Sequence, residues 1–323
     1  MEKGSLSPEN IFPQGELLDL KIKETARPVV ILVEGPLDPS KIVLEPTLEG
    51  IRHNPELDKH ISDVWESSGE TRNGSKVLAM GVLLDQDKVI IRTGVTDYKE
   101  RIATIKPEYQ IAKRFGPESV AAQLATASII LTADNKVCMA QLGKTDEKNR
   151  IGGIHTIAGL LEMKADKTPV SPTENILKEI SQELGFEMEE VRKRFTPETV
   201  LAIEQDPRIF ATDIIFLVKT DVTKQEIKAR SGKSDKEIVP VFVDNTAEGI
   251  KDALLVFAKT GTATALSGLY LYGKMGFGNE WAGSIQKRLA RRFTIWDRLD
   301  SYNPGIPEEI RVRTANRLTR LHA

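Results

Sequence analysis

Glu179 and Glu183 are the residues whose types and spacing most directly offer chemistry. They stand four apart in a segment, 171–186, that reads as a helix, so both carboxylates lie on one flank. Like charges one turn apart on a helix repel by roughly 0.2–0.5 kcal/mol. A hard cation such as Mg²⁺ reverses that repulsion, because it takes oxygen ligands from one or two carboxylates together with substrate phosphates. Gln182 lies further round the helix and offers a neutral amide oxygen. Two readings of the pair stay open on these residues alone: a solvated acidic face beside a core stripe, or a cation site.

The helix that carries them is strongly encoded. Ser171 is a good N-cap, Pro172 suits the first helical position, and Glu174 completes a capping box. Gly185 sits where a left-handed C-terminal cap is expected. Ile176, Leu177, Ile180 and Leu184 form one apolar stripe at helical spacing. The stop at Gly185 and the stripe together predict a helix over 172–184. Around it, 28–33 reads as a buried strand and Leu57 to Trp65 as a helix. Strands at 77–84 and 89–93 flank Asp85-Gln86-Asp87 as a hairpin, and strands at 128–132 and 137–141 flank 133–136 as another. A short strand runs over 154–157 and ends at Gly159. Strands follow at 199–204 and 209–218, a helix at 223–229 and a strand at 238–243. Helices are expected at 247–259, 262–275 and 280–293, with Gly273, Gly276 and Gly278 making a helix–helix turn.

Interspersed strands and helices with hairpins point to an α+β fold rather than a doubly wound parallel sheet. The 323 residues allow about two domains. The expected units are a polar lead-in (1–27), an N-terminal mixed, β-rich α/β domain (28–116), a catalytic domain (117–260) and a C-terminal helical extension (261–323).

Composition narrows the classes. The formal charge of −2 argues against a whole-chain nucleic-acid coat. A local excess remains at 284–323, with nine Lys/Arg against four acids. A single cysteine, Cys138, excludes an intrachain disulfide and a Cys-rich zinc site. The histidines His53, His60, His155 and His322 have no zinc-enzyme spacing. Neither a leader with an apolar core nor a membrane-length apolar run is visible, and a lone thiol fits a reducing compartment. The expected location is therefore the cytoplasm, with no membrane partner. Gly232-Lys233-Ser234 is not a P-loop, since Ile227 stands where its first glycine belongs.

Gly159, followed by Lys178-Glu179-Ile180-Ser181-Gln182-Glu183-Leu184-Gly185-Phe186, resembles the Nudix box, G-x5-E-x7-R-E-U-x-E-E-x-G-U. Glu179, Ile180, Glu183, Gly185 and Phe186 fall on its pattern, and Lys178 replaces its arginine. The loop before Lys178 is five residues longer than the box allows. Ala165 falls where its first glutamate would be counted, and Gln182 takes the place of the first glutamate of the E-E pair. Ser62-Asp63-Val64-Trp65-Glu66, Arg72-Asn73-Gly74, Gly94-Val95-Thr96-Asp97-Tyr98-Lys99 and Thr132-Ala133-Asp134 resemble segments of a two-domain Nudix branch that includes UDP-sugar diphosphatases.

The resemblance implies a Nudix α/β/α sandwich packed on an N-terminal β-rich domain. It implies a Mg²⁺-dependent pyrophosphohydrolase, with Mn²⁺ as the substitute metal. The substrate would be a small nucleotide such as UDP-glucose, cleaved to UMP and sugar 1-phosphate. Glu179 and Glu183 carry over as metal ligands, Gln182 as a neutral one, and the backbone carbonyl near Ala158 as another. Glu162 matches a glutamate of a common extension of the box. Glu237 is the candidate general base and Glu204 a weaker one, with a surface acid as the plainer reading of each. Tyr98 is a candidate to stack on the pyrimidine, and Arg92, Lys99 and Arg101 to meet phosphate, with Gly159 beside the substrate. The rival expectation is a catalytically silent Nudix-fold module that binds a nucleotide or a protein.

Overall fold

The structure, a computed structural model, describes residues 16–19, 28–105, 110–142, 153–206, 211–231, 238–257 and 261–290. It is a mixed α/β chain with two open sheets. The smaller sheet has the order β3-β5-β4, from β3 (Ile42–Pro46), β4 (Ser75–Asp85) and β5 (Lys88–Asp97). The β4–β5 hairpin turns at Gln86, whose φ of 55° is left-handed. Helices α1 (Pro55–Ser68), α2 (Tyr98–Ile105) and α3 (Gln110–Phe115) accompany this sheet.

The larger sheet contains β1 (Glu16–Asp19), β2 (Pro28–Leu37), β6 (Leu124–Leu131) and β7 (Lys136–Leu142). It also contains β8 (Ile154–His155), β9 (Ile157–Leu160), β10 (Phe195–Asp206), β11 (Ala211–Thr220) and β12 (Ile238–Asp244). Its order is β1-β2-β10-β11-β6-β7-β12, with β8 on β7 and β9 on β6. The β6–β11 pair is parallel and the other pairs are antiparallel. Strand β6 is buried on both sides along nearly its whole length, which suits its run of small and β-branched residues.

Pleat alternation divides the large sheet into two faces. Ile203, Ile214 and Phe216 pack with Ile176, Leu177, Ile180 and Leu184 of α4 (Pro172–Leu184). Ala202, Ile215 and Leu217 pack with Leu266, Leu269 and Ile285 of α8 (Ala263–Ala290). Helices α5 (Met188–Arg194) and α6 (Lys224–Ser231) lie with α4, and α7 (Ala247–Phe257) lies with α8. The small sheet is not a separate body. Its Val77, Val89 and Ile91 enter the α4-side core, while Leu78 and Met80 on the opposite pleat pack with Leu57 and Ile61 of α1.

The units expected from sequence cut across these sheets. Residues 28–37, grouped with the N-terminal domain, form β2 and pair with β10 in the large sheet. Within the expected lead-in, Glu16–Asp19 is a strand on β2. The strand read over 154–157 is two strands, β8 on β7 and β9 on β6. The helix–helix turn expected at Gly273, Gly276 and Gly278 falls at Gly278, whose φ of 83° and ψ of 176° divide α8 into two helices, while Gly273 and Gly276 lie within the first. At Gly273 the Trp281 ring occupies the place of the absent Cβ, so the helix there needs glycine. The basic residues beyond 290 and Glu237 lie outside the described residues. Among the described residues no helix is long and apolar enough to cross a membrane.

Candidate functional site

Helix α4 forms over the residues its sequence signals specify. The Ser171 hydroxyl accepts from the Glu174 amide at 3.2 Å, Pro172 follows the cap, and Gly185 ends the helix with φ 72°. Its apolar stripe docks on the sheet, and that docking sets what its polar flank meets. Asn175, Glu179 and Glu183 follow one another at four-residue steps and are all buried. Glu179 and Glu183 are 6% and 3% exposed, so the solvated acidic face is not what the structure has.

These side chains converge on β9. A Cβ on Gly159 would fall inside the Glu179 carboxyl group, so the carboxylate rests directly on the glycine backbone. Only glycine leaves that seat open. The Asn175 amide nitrogen donates to the Thr126 hydroxyl at 2.8 Å and, more weakly, to the Gly159 carbonyl at 3.4 Å. Thr126 and Gly159 are themselves register partners across β6 and β9. Ala158, the neighbouring residue, sends its side chain to the α8-side core. The helix, both strands and the Glu179 seat are thus fixed by one small polar cluster, and the Asn175 Oδ1 is buried there without a hydrogen-bond partner.

The rim of this site is cationic. Glu162, just past β9, is paired with Lys178 of α4 and with Lys76 of β4, the latter at 3.1 Å. Lys76 and Glu162 also form an isolated β-bridge between the two sheets. The lysine contacts hold the Glu162 carboxyl below its ordinary range, with the Lys178 hydrogen bond as the largest cause. Lys178 thus does ion-pairing work at the box position where the Nudix pattern has arginine.

The expected substrate-binding residues are only partly brought together. Tyr98 and Lys99 open α2, just after the β5 residue Thr96 that pairs with Lys76. The Arg101 guanidinium lies 5.9 Å from the Tyr98 ring centre, and the Lys99 ammonium reaches Ser62 at 3.5 Å. Arg92 pairs with Gly81 and lies four residues along β5 from Thr96, the partner of Lys76, so it stands about 13 Å down the sheet from Lys76. There it faces Glu45 at 3.8 Å. Arg92 and Tyr98 therefore do not share one subsite.

Glu204 sits on the other side of the sheet. It is the register partner of Asp213 and is fully buried on the face that meets α8, away from Glu179. The Thr264 hydroxyl of α8 donates to Asp213 at 2.8 Å. Burial, then the charge of Asp213, push the Glu204 carboxyl well up. Burial pushes Asp213 up to about 6, against the Thr264 hydrogen bond. This placement removes Glu204 as a base for chemistry on the α4 face.

A cleft of about 610 Å³ lies by Pro36, Asp38, Ser40, Thr173, Glu198 and Thr199, at the N-terminal end of α4. Thr173 is ten helical residues from Glu183, a separation of about 15 Å, so that cleft is not the carboxylate site. Sequence reading missed Asn175 and Lys76. The first has a signal, an asparagine in a helix interior four residues before a glutamate. The second has none, because its partner is 86 residues away.

A divalent cation fits these residues only with neutral oxygens added. Among the described residues no group of three or more His, Cys, Asp or Glu could hold a metal ion. A neutral oxygen stands near in the Asn175 Oδ1, buried beside the glycine on which the Glu179 carboxylate rests. No protein-family profile and no curated protein matches this chain.

Proposed function

We propose that this chain is a Mg²⁺-dependent pyrophosphohydrolase of the Nudix type, acting on a nucleoside diphosphate-linked substrate of the UDP-sugar class. Water attacks one phosphorus of the pyrophosphate, the bridging P–O bond breaks, and UMP and a sugar 1-phosphate leave. One observation carries the reading: the Glu179 carboxylate rests on the Gly159 backbone, with Glu183 one turn on, on a buried helix flank. Bound Mg²⁺ would neutralise phosphate oxygens and acidify the attacking water. Glu179 and Glu183 would hold it, with a carbonyl at Ala158 or Gly159. Lys76 and Lys178 bring positive charge to the rim, where a pyrophosphate needs it, and Tyr98 opens the helix that follows β5. The test is a nucleotide-sugar panel with Mg²⁺, with the products resolved by ion-exchange chromatography. UMP release is expected from the wild type, falling at least about 100-fold in Glu183→Gln. Equal rates in the two proteins, or no turnover of any nucleotide sugar, overturn the reading.

Gln182 and the absence of a three-ligand acidic group among the described residues favour a second reading, a silent Nudix-fold nucleotide-binding module. That module would be stabilised thermally by UDP-sugars without turnover and without dependence on Mg²⁺.

A further inference from the structure

Helix α4 carries a third polar residue in line with its two glutamates. Asn175 is 1% exposed, and an asparagine inside a helix is a poor choice unless its side chain has work to do. Half of that work is visible. The Gly159 carbonyl can only accept, so the amide nitrogen must face it, and the Thr126 hydroxyl takes the same nitrogen. With the nitrogen fixed twice, the orientation of the oxygen is fixed too. That oxygen is the part without a hydrogen-bond partner. A buried amide oxygen left unmatched costs about 1–3 kcal/mol, so it calls for a partner that the chain itself does not supply.

What lies nearby selects the ligand. The same glycine that takes the Asn175 amide seats the Glu179 carboxylate. A partner for both oxygens must therefore accept electron pairs from a neutral and an anionic oxygen together. A hard divalent cation does this. Hard cations take carboxylate, amide and carbonyl oxygens in one set. We infer that Asn175 is a ligand-donating residue of the α4 site, giving its Oδ1 to the divalent cation held by Glu179. The inference rests on the cation-dependent reading above and adds a neutral oxygen that the glutamate spacing does not contain.

The experiment is Mn²⁺ titration of the full chain, followed by loss of the free-ion electron paramagnetic resonance signal. Thermal melts of each variant check that it is folded. Asn175→Ala is expected to weaken Mn²⁺ binding about 10–100-fold. Asn175→Asp, which keeps an oxygen and adds charge, is expected to bind at least as tightly as wild type. Thr126→Val removes the orienting hydroxyl and leaves the oxygen, so it is expected to bind within a few-fold of wild type. Binding lost in Glu179→Gln but unchanged in Asn175→Ala overturns the inference and leaves the enzymatic reading standing. Loss as large in Thr126→Val as in Asn175→Ala also overturns it, since the amide would then only brace the strands. Should Asn175→Ala fail to fold, weakened binding by a folded Asn175→Asp overturns it. Mn²⁺ binding that survives both Glu179→Gln and Asn175→Ala, or no binding by wild type, overturns the inference and the cation-dependent reading together.

Discussion

Two sets of buried carboxylates occupy opposite faces of one sheet, and they are managed in opposite ways. On the α4 face, Glu179 and Glu183 lie one turn apart on a helix, beside a glycine seat and an unmatched amide oxygen, with two lysines at the rim. On the α8 face, Glu204 and Asp213 lie directly opposite each other on paired strands under a helix whose Thr264 hydroxyl donates to Asp213, while both Glu204 oxygens are buried without a hydrogen-bond partner. Like charges directly across a strand pair are destabilising, and burial adds to that cost. Burial raises both carboxyls, Glu204 under the added charge of Asp213, and Asp213 against the Thr264 hydrogen bond and the charge of Arg101. The comparison teaches that burial of acids is not by itself a sign of chemistry. What separates the two sets is what stands beside the acids: a glycine seat, an amide oxygen and two lysines on the α4 face, and a second carboxylate under a covering helix on the other.

The largest effect expected from this contrast is on the α8 face. Asp213 is raised from 3.8 to about 6, so the folded chain keeps a proton that the unfolded chain releases. Stability contributed by this group is therefore full below about pH 4 and falls as pH rises through about 6. About two pKa units correspond to a penalty on the order of 3 kcal/mol above that window. Asp213→Asn keeps an acceptor for Thr264 and removes the ionisation. It is expected to melt higher than wild type at pH 8, by several degrees, and to match wild type at pH 4. A pH-independent difference between the two proteins would show that the pair is not sharing protons, and the contrast between the two faces would collapse.

A smaller effect, of about 1–3 kcal/mol, is expected from overpacking the α4 seat. Gly159→Ala places a methyl group where the Glu179 carboxylate rests. The carboxylate is the end of a flexible chain and can swing aside, so most of the damage should fall on function. On the proposed function, the expected result is a folded protein with loss of UDP-sugar hydrolysis comparable to Glu179→Gln and a modestly lowered melting temperature. Retained activity would mean that the glycine serves backbone packing and that the seat has no role in placing the carboxylate.

How much of this was readable beforehand follows from the range of the interactions. Helix α4 matches its expected bounds because its cap, Pro172 and Gly185 are local signals that tertiary packing reinforces. Both expected hairpins form for the same reason. Strand β2 was grouped with the wrong sheet because Val33 pairs with Ile203, and no local pattern encodes such a partner. The break in α8 is legible because glycine tolerates the positive φ found at Gly278, whereas the reason for Gly273 within the helix, the Trp281 ring packed on it, lies eight residues further along the chain. The Glu179–Glu183 pair was legible from spacing alone. Asn175 was not, since its meaning comes from Thr126 and Gly159, on two strands that the helix meets only after folding.

The smallest effect tests the rim. Glu162 is partly exposed and paired with Lys76 and Lys178. Such pairs are worth at most about 1 kcal/mol. Its carboxyl is held below the ordinary range, so its contribution is present at neutral pH and is lost as pH falls through that lowered value. That slope has the opposite sign to the one on the α8 face. Glu162→Gln is expected to cost less than about 1 kcal/mol at pH 7 and nothing measurable once acid has protonated the wild-type carboxyl. Lys76 comes from the small sheet and Lys178 from α4, so the substitution also loosens a contact between the two sheets at the mouth of the site. In denaturant melts the double variant Glu162→Gln/Asp213→Asn should show both pH slopes flattened and their separate effects added, because the two groups lie on opposite faces and share no partner. A coupling above about 0.5 kcal/mol between them would mean that the sheet transmits charge from one face to the other, and the two acid sets would have to be treated as one.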